Sequence, residues 1–338
     1  MSNRAKLIAL GVVIAVALLS SVGYVVFARR AQTRAAQDAP PVPTIQDLTA
    51  VQSAPRIVFR STALGERYGK VAEVPLTAPS GPRAFTSVSC DRVYAREGQA
   101  VCLAAKPGVV TTYTARVLGA DWSPVLDLPL SGVPSRTRLS RDGAMVATTT
   151  FVSGHDYSSP GQFSTETLVT NIASRKTTNI EQFTLTVDGK AIDAKDRNMW
   201  GVTFADDEHF YATAASGKKT WLVRGTMSAG RLEALREDAE CPSLSPDGKR
   251  IAFKERAGRP AGEWGVTVYD IATGKATRLA EPRSVDDQIE WLDDSQVVYG
   301  LPRAGEGPAA SDVWVVPADG SGASRVLIPD AWSPAVVR

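Results

Sequence analysis

Three observations predict an all-β protein, a six-bladed β-propeller closed by its C-terminal strand and preceded by one N-terminal transmembrane helix. A strand–turn–strand unit recurs across residues 56–338. Its spacing of roughly 40–47 residues matches the period of propeller repeats. Ahead of the repeats, residues 7–27 form an apolar run without a single charge.

The repeat is clearest at Leu244-Ser245-Pro246-Asp247-Gly248-Lys249-Arg250-Ile251-Ala252-Phe253. Ser-Pro-Asp-Gly is turn chemistry, because proline presets φ at the first turn position and glycine accepts positive φ. Related units run from Leu139 to Gly143, Tyr94 to Gly98, Phe204 to Glu208 and Trp291 to Ser295, each followed by an apolar strand. A third strand, a second turn and a short fourth strand follow. Val266–Asp270, then Ala272-Thr273-Gly274, then Ala276–Leu279 is the best example. Four strands per unit make a blade.

The second strands begin near 56, 100, 145, 210, 250 and 297, which counts six units. One interval is longer and contains 184–198, read as an inserted loop. The unit at Arg56 has no first strand before it, and Trp332-Ser333-Pro334 matches Leu244-Ser245-Pro246. The C-terminal segment is therefore expected to supply the missing strand and close the ring, leaving only short, protected sheet edges.

The N-terminal run is long enough to cross a bilayer at about 1.5 Å rise per residue. Residues 1–28 are read as a transmembrane signal anchor and 29–55 as an Ala/Pro-rich linker, with 39–43 extended by its prolines. A cleaved secretory signal is the alternative, with Val26-Phe27-Ala28 as a poor cleavage site. Arg4 and Lys6 precede the run and Arg29, Arg30 and Arg34 follow it, so charge leaves orientation open.

Net charge is +2 with no basic block in the repeats, which argues against nucleic acid as a partner. Three cysteines and two histidines form no zinc-type spacing, so neither a metal nor any other cofactor is expected. Only His155 and His209 could act as the general base of a triad hydrolase, and no catalytic motif accompanies them.

The run from Leu244 to Phe253, with a blade ending Thr277-Arg278-Leu279, resembles the repeat of TolB-type β-propellers, also found in prolyl oligopeptidase-like enzymes. The match is close over 241–281, moderate over 136–183 and degenerate elsewhere. It implies a periplasmic or extracytoplasmic propeller that binds other proteins. It also implies a cytoplasmic N-terminus with the domain outside a single-pass cell-membrane anchor. The expectation departs from TolB in lacking its N-terminal α/β domain, and from the peptidases in lacking their hydrolase domain.

Among individual residues, Cys90 and Cys102 flank one hairpin turn. Pairing Val93 with Gln99 would set the two cysteines directly opposite one another, close enough to bridge. Cys241 has no evident mate. His155 and Asp156 lie on a loop between strands, a candidate pair for polarising a substrate or ligating a metal, though adjacent loop residues commonly just solvate. Acidic groups stand at 206–208, 286–287 and 293–294; calcium needs several oxygens converging at once, and the blade alignment instead puts 206–208 and 293–295 on hairpin turns of separate blades.

The function expected is a protein-binding or scaffold module, anchored in the membrane through residues 7–27 and docking an envelope protein or polymer. Its specificity is expected in loops 152–164, 184–198 and 301–311, because propellers bind through loops at the rims of the channel. An extracytoplasmic hydrolase or lyase with its site at the channel mouth, or a ligand-sensing propeller, are the alternatives. A cluster of His, Asp and Arg from several blades at the axis would favour the enzyme.

Overall fold

The structure, a computed structural model, describes residues 3–38, 41–154, 163–303 and 310–338. The chain divides into two units, Met1–Val42 with Ala63–Tyr68, and Pro43–Thr62 with Gly69–Arg338.

The first unit is built on a helix, Asn3–Asp38. Its segment Asn3–Ala28 is long and apolar enough to cross a membrane, and none of that apolar surface is buried by protein. The helix continues past the apolar run into the stretch read as linker.

The second unit is a six-bladed β-propeller. Blade 2 comprises Arg92–Arg96, Gln99–Lys106, Thr112–Gly119 and Pro124–Leu130. Blade 3 comprises Val133–Leu139, Met145–Ser153, Ser164–Asn171 and Thr177–Asn179. Blade 4 comprises Asn198–Phe204, His209–Ser216, Lys219–Thr226 and Arg231–Glu237. Blade 5 comprises Glu240–Leu244, Arg250–Glu255, Gly265–Asp270 and Ala276–Arg278. Blade 6 comprises Glu290–Trp291, Gln296–Pro302, Ser311–Pro317 and Arg325–Ile328. Each is an antiparallel meander.

Blade 1 closes the ring as the repeat count requires. Arg56–Ser61, Lys70–Pro75 and Arg83–Ser89 are its second to fourth strands, and Ala331–Val337 is its first. The closing ladder pairs Arg56 with Val337, Ile57 with Val336 and Val58 with Ala335. Ile57, Val58, Ala335 and Val336 are fully buried, so closure adds apolar burial to the backbone bonds.

The repeated sequence produces repeated bonds. In blade 5, Ser245 Oγ donates to Asp247 Oδ1 at 2.6 Å, and Arg250 N donates back to Ser245 Oγ at 2.9 Å. Blade 3 repeats this atom for atom, with Ser140 on Asp142 at 2.6 Å and Met145 N on Ser140 at 2.9 Å. Gly248 and Gly143 take φ of +72° and +74°, a backbone region that L side chains rarely adopt.

Two readings of local structure change. The hairpin of blade 2 pairs Arg96 with Gln99 and Val93 with Cys102, so Val93 does not face Gln99. Glu97-Gly98 is a two-residue turn with Gly98 at φ +73°, the tightest connection a hairpin allows, and it shifts the register by three. The 184–198 segment is not a plain loop. Thr184–Val187 and Lys190–Ala191 form a hairpin that extends the outer edge of blade 4, Thr184–Val187 running parallel to Arg231–Glu237.

The segment 44–52 belongs to blade 1. Thr44–Ile45 pairs in parallel with Arg83–Ala84 on the outer edge. Asp47 then caps a short helix, Leu48–Gln52, by accepting from Ala50 N at 3.2 Å. Gln52 reaches the fully buried Glu73, which also takes Arg56 at 2.7 Å and Trp122 Nε1 at 2.9 Å.

Candidate functional site

First strands start at one face of the ring, the upper face, and run to the lower. Alternation then puts every second-to-third-strand loop and every blade-to-blade crossover at the upper face. The strand ends flanking 154–163 and 303–310 therefore lie on the same face as the 192–197 crossover, with Ser153 paired to Ser164 and Pro302 to Ser311. Three segments far apart in sequence share one rim. His155 and Asp156 fall outside the described residues.

Below that rim, charged side chains from four blades and the crossover into blade 6 converge on the axis. Asp286 Oδ1 accepts from Lys254 Nζ at 2.6 Å and from Arg136 Nη2 at 3.1 Å. Asp287 pairs with Arg92 and accepts from Gly300 N at 2.8 Å. One layer lower, Arg138 binds Glu290 at 2.8 Å and Ser243 Oγ at 3.2 Å. Lys254 is fully buried and lies over the Trp264 ring at 4.4 Å. Asp286 keeps 45% of its side-chain surface accessible although protein surrounds it, as expected of a carboxylate facing an internal channel.

This wiring keeps Asp286 and Lys254 charged. Burial works to raise the Asp286 pKa, but Lys254 and Arg136 outweigh it and hold the carboxyl well below the ordinary range. Burial works to lower the Lys254 pKa, and Asp286 reverses that. Glu240 behaves differently: burial raises its pKa despite Lys254 and despite Arg256, which lies 3.6 Å away.

At the upper rim, between blades 3, 4 and 5, lies a pocket of about 150 Å³. Trp200 and Phe163 give it an aromatic wall, their rings edge-on at 5.6 Å. Lys195, Lys218 and Arg256 bring positive charge, and Glu240 lies at its inner side. Asp196 ties the 192–197 crossover to the neighbouring loop, accepting from Ser216 Oγ at 2.8 Å and Gly217 N at 2.7 Å. Arg197 anchors the same segment from below through Phe183 O at 3.0 Å. The pocket is fastened by hydrogen bonds on its open side, so it is preformed.

Cys90 and Cys102 are joined, with Cα atoms 5.4 Å apart. Cys90 precedes blade 2 in the crossover from blade 1, so the bond ties that crossover to a second strand. Cys241 is a buried free thiol. His209 stands exposed by a lower-face turn, Nδ1 3.1 Å from Asp206, away from the axis. Among the described residues, no group of three or more His, Cys, Asp or Glu side chains is arranged to hold a metal ion. The axial cluster was missed by sequence reasoning. Its one signal was charge inside inner strands, as in Arg136-Thr137-Arg138, where a solvated face and a channel read alike.

No sequence-family profile matches the chain. Two curated proteins, dipeptidyl-peptidase 5 of Aspergillus oryzae and probable dipeptidyl-peptidase 5 of Aspergillus flavus, are each 28% identical over 117 residues. That is 33% of this chain and 15% of each peptidase, so the chain matches only a small part of these relatives. Among solved structures, TolB from Acinetobacter baumannii superposes with a TM-score of 0.54 at 18% identity. The superposition covers 84% of this chain and 66% of that one. The chain has a TolB-like propeller fold.

Proposed function

We propose that this chain is a membrane-anchored, extracytoplasmic propeller that docks a protein or polymer of the cell envelope on its upper face. The observation that carries the reading is topological: the crossover at 192–197 and the strand ends at Ser153, Ser164, Pro302 and Ser311 share one rim, beside a preformed pocket. Binding through loops held on a rigid scaffold is the common use of such a rim. The Cys90–Cys102 bond supports an oxidising compartment, where disulfides persist. The apolar helix Asn3–Ala28 supports the anchor.

The test is crosslinking in intact cells with tagged full-length chain. One envelope component should be recovered with wild type and lost when Lys195 and Lys218, which line the upper pocket, are both replaced with glutamate. Equal recovery from a correctly folded Lys195→Glu, Lys218→Glu variant would remove the upper rim from the reading.

A second reading is favoured by one observation, the convergence of Asp286, Lys254 and Arg136 on the channel. Such a cluster could orient an acidic or polar substrate for a hydrolase or lyase. On that reading, Asp286→Asn would abolish turnover of a substrate while leaving the crosslinked partner unchanged.

A further inference from the structure

The lower face carries a second opening with different chemistry. Where the first strands end, the lining of a cavity of about 340 Å³ includes Arg96, Arg141, Phe204, Pro246, Trp291 and Arg338. These residues come from blades 2, 3, 4, 5, 6 and 1 in turn. All six blades reach the cavity, so it lies on the ring axis.

Three of the six are arginines, and neutral groups hold them in place. Arg141 Nη2 donates to Pro246 O at 2.5 Å and Arg338 Nη2 donates to Trp291 O at 2.7 Å. The Arg96 guanidinium lies over the Tyr94 ring at 5.2 Å. None of the three is ion-paired with a carboxylate among the described residues. A guanidinium carries five N–H donors in a fixed fork, and these contacts leave most of them available.

Two carboxylate side chains, Glu97 and Glu290, also line the cavity, which leaves an excess of one positive charge among its lining side chains. Glu290 is buried and engaged by Arg138 at 2.8 Å. Glu97 is exposed at the rim. A concave site with low-dielectric walls and an excess of positive charge focuses its potential on the opening. Its volume is at the small end for ligand sites.

We propose that this lower mouth binds an oxyanion, a carboxylate or phosphate on a small ligand, gripped by Arg96, Arg141 and Arg338 against the Trp291 and Phe204 wall. The site is independent of the docking rim above, which lies at the other end of the channel beyond the Arg138–Glu290 pair.

The experiment is calorimetric titration of the full-length protein in mild detergent, at fixed ionic strength, with citrate and separately with inorganic phosphate. Saturable one-site binding of at least one is expected, the tighter anion identifying the source of the negative charge. Arg141→Gln and Arg338→Gln should each weaken it about tenfold, the loss expected for one charge-assisted hydrogen bond. Glu97→Gln should tighten it, and Lys218→Gln in the upper pocket should leave it unchanged. Circular dichroism checks that each variant is folded. Absence of saturable binding by either anion, or equal affinity in the Arg141→Gln, Arg338→Gln double variant, would overturn the proposal.

Discussion

Replacing Asp286 with asparagine should destabilise the propeller through Lys254. The Lys254 ammonium is fully buried, with Asp286 Oδ1 at 2.6 Å, and Arg136 shares the same oxygen at 3.1 Å. Breaking a buried ion pair by removing one partner costs about 3–5 kcal/mol, because the remaining charge stays desolvated. Asp286 is 45% exposed, so channel water screens part of the attraction. The expected loss is therefore about 2 kcal/mol, a fall in Tm of about 3 °C for a domain of this size.

The assay is urea unfolding of the full-length protein at pH 7.5, followed by fluorescence of its seven tryptophans. Lys254→Met and the double variant complete a mutant cycle. The double should cost less than the sum of the singles by about 1 kcal/mol or more, since Asp286→Asn does less harm once the ammonium is gone. Acid adds a second readout. The Asp286 pKa is depressed in the folded state, so its contribution is present above the unfolded value near pH 4 and is lost as pH falls toward the folded value. Asp286→Asn should flatten that acid limb. A variant within about 0.5 kcal/mol of wild type, with additive singles, would refute the reasoning.

Two further outcomes follow from the same structure. Burial lifts the Glu181 pKa to about 8, against the hydrogen bonds it accepts from Met199 N and Thr165 Oγ1. The folded state then holds a proton that the unfolded state releases near pH 4, so stability falls as pH rises from there to about 8. Glu181→Gln keeps an acceptor and should remove that fall. Identical pH–stability slopes for variant and wild type would exclude a neutral Glu181. Replacing both Cys90 and Cys102 with serine opens a loop of sequence separation 12, which should cost about 3 kcal/mol and make urea stability insensitive to reductant.

Much of the architecture was legible because turn chemistry is local. Ser245-Pro246-Asp247-Gly248 specifies its own hydrogen bonds, and its copy at Ser140–Gly143 makes the same ones, so blades could be counted from six short segments. The missing first strand at Arg56 and the surplus one at Trp332 mark the closure in the sequence itself. Register was harder. One turn residue more or fewer moves every pair in a ladder, and the Glu97-Gly98 turn placed Val93 against Cys102 rather than against Gln99.

What the sequence determined alone was therefore periodic and local: strands, turns, blade number, closure and an apolar N-terminal helix. What only the tertiary structure decided was which residues meet across blades. Asp286 and Lys254 are 32 residues apart, Arg92 and Asp287 are 195 apart, and Arg138 and Glu290 are 152 apart. Nothing in a linear pattern separates a charge on a solvated strand face from one on a channel wall, because both alternate with the same period of two. Ring closure brings inner strands together at one axis, and that geometry converts scattered charges into a paired cluster above and an arginine-lined mouth below.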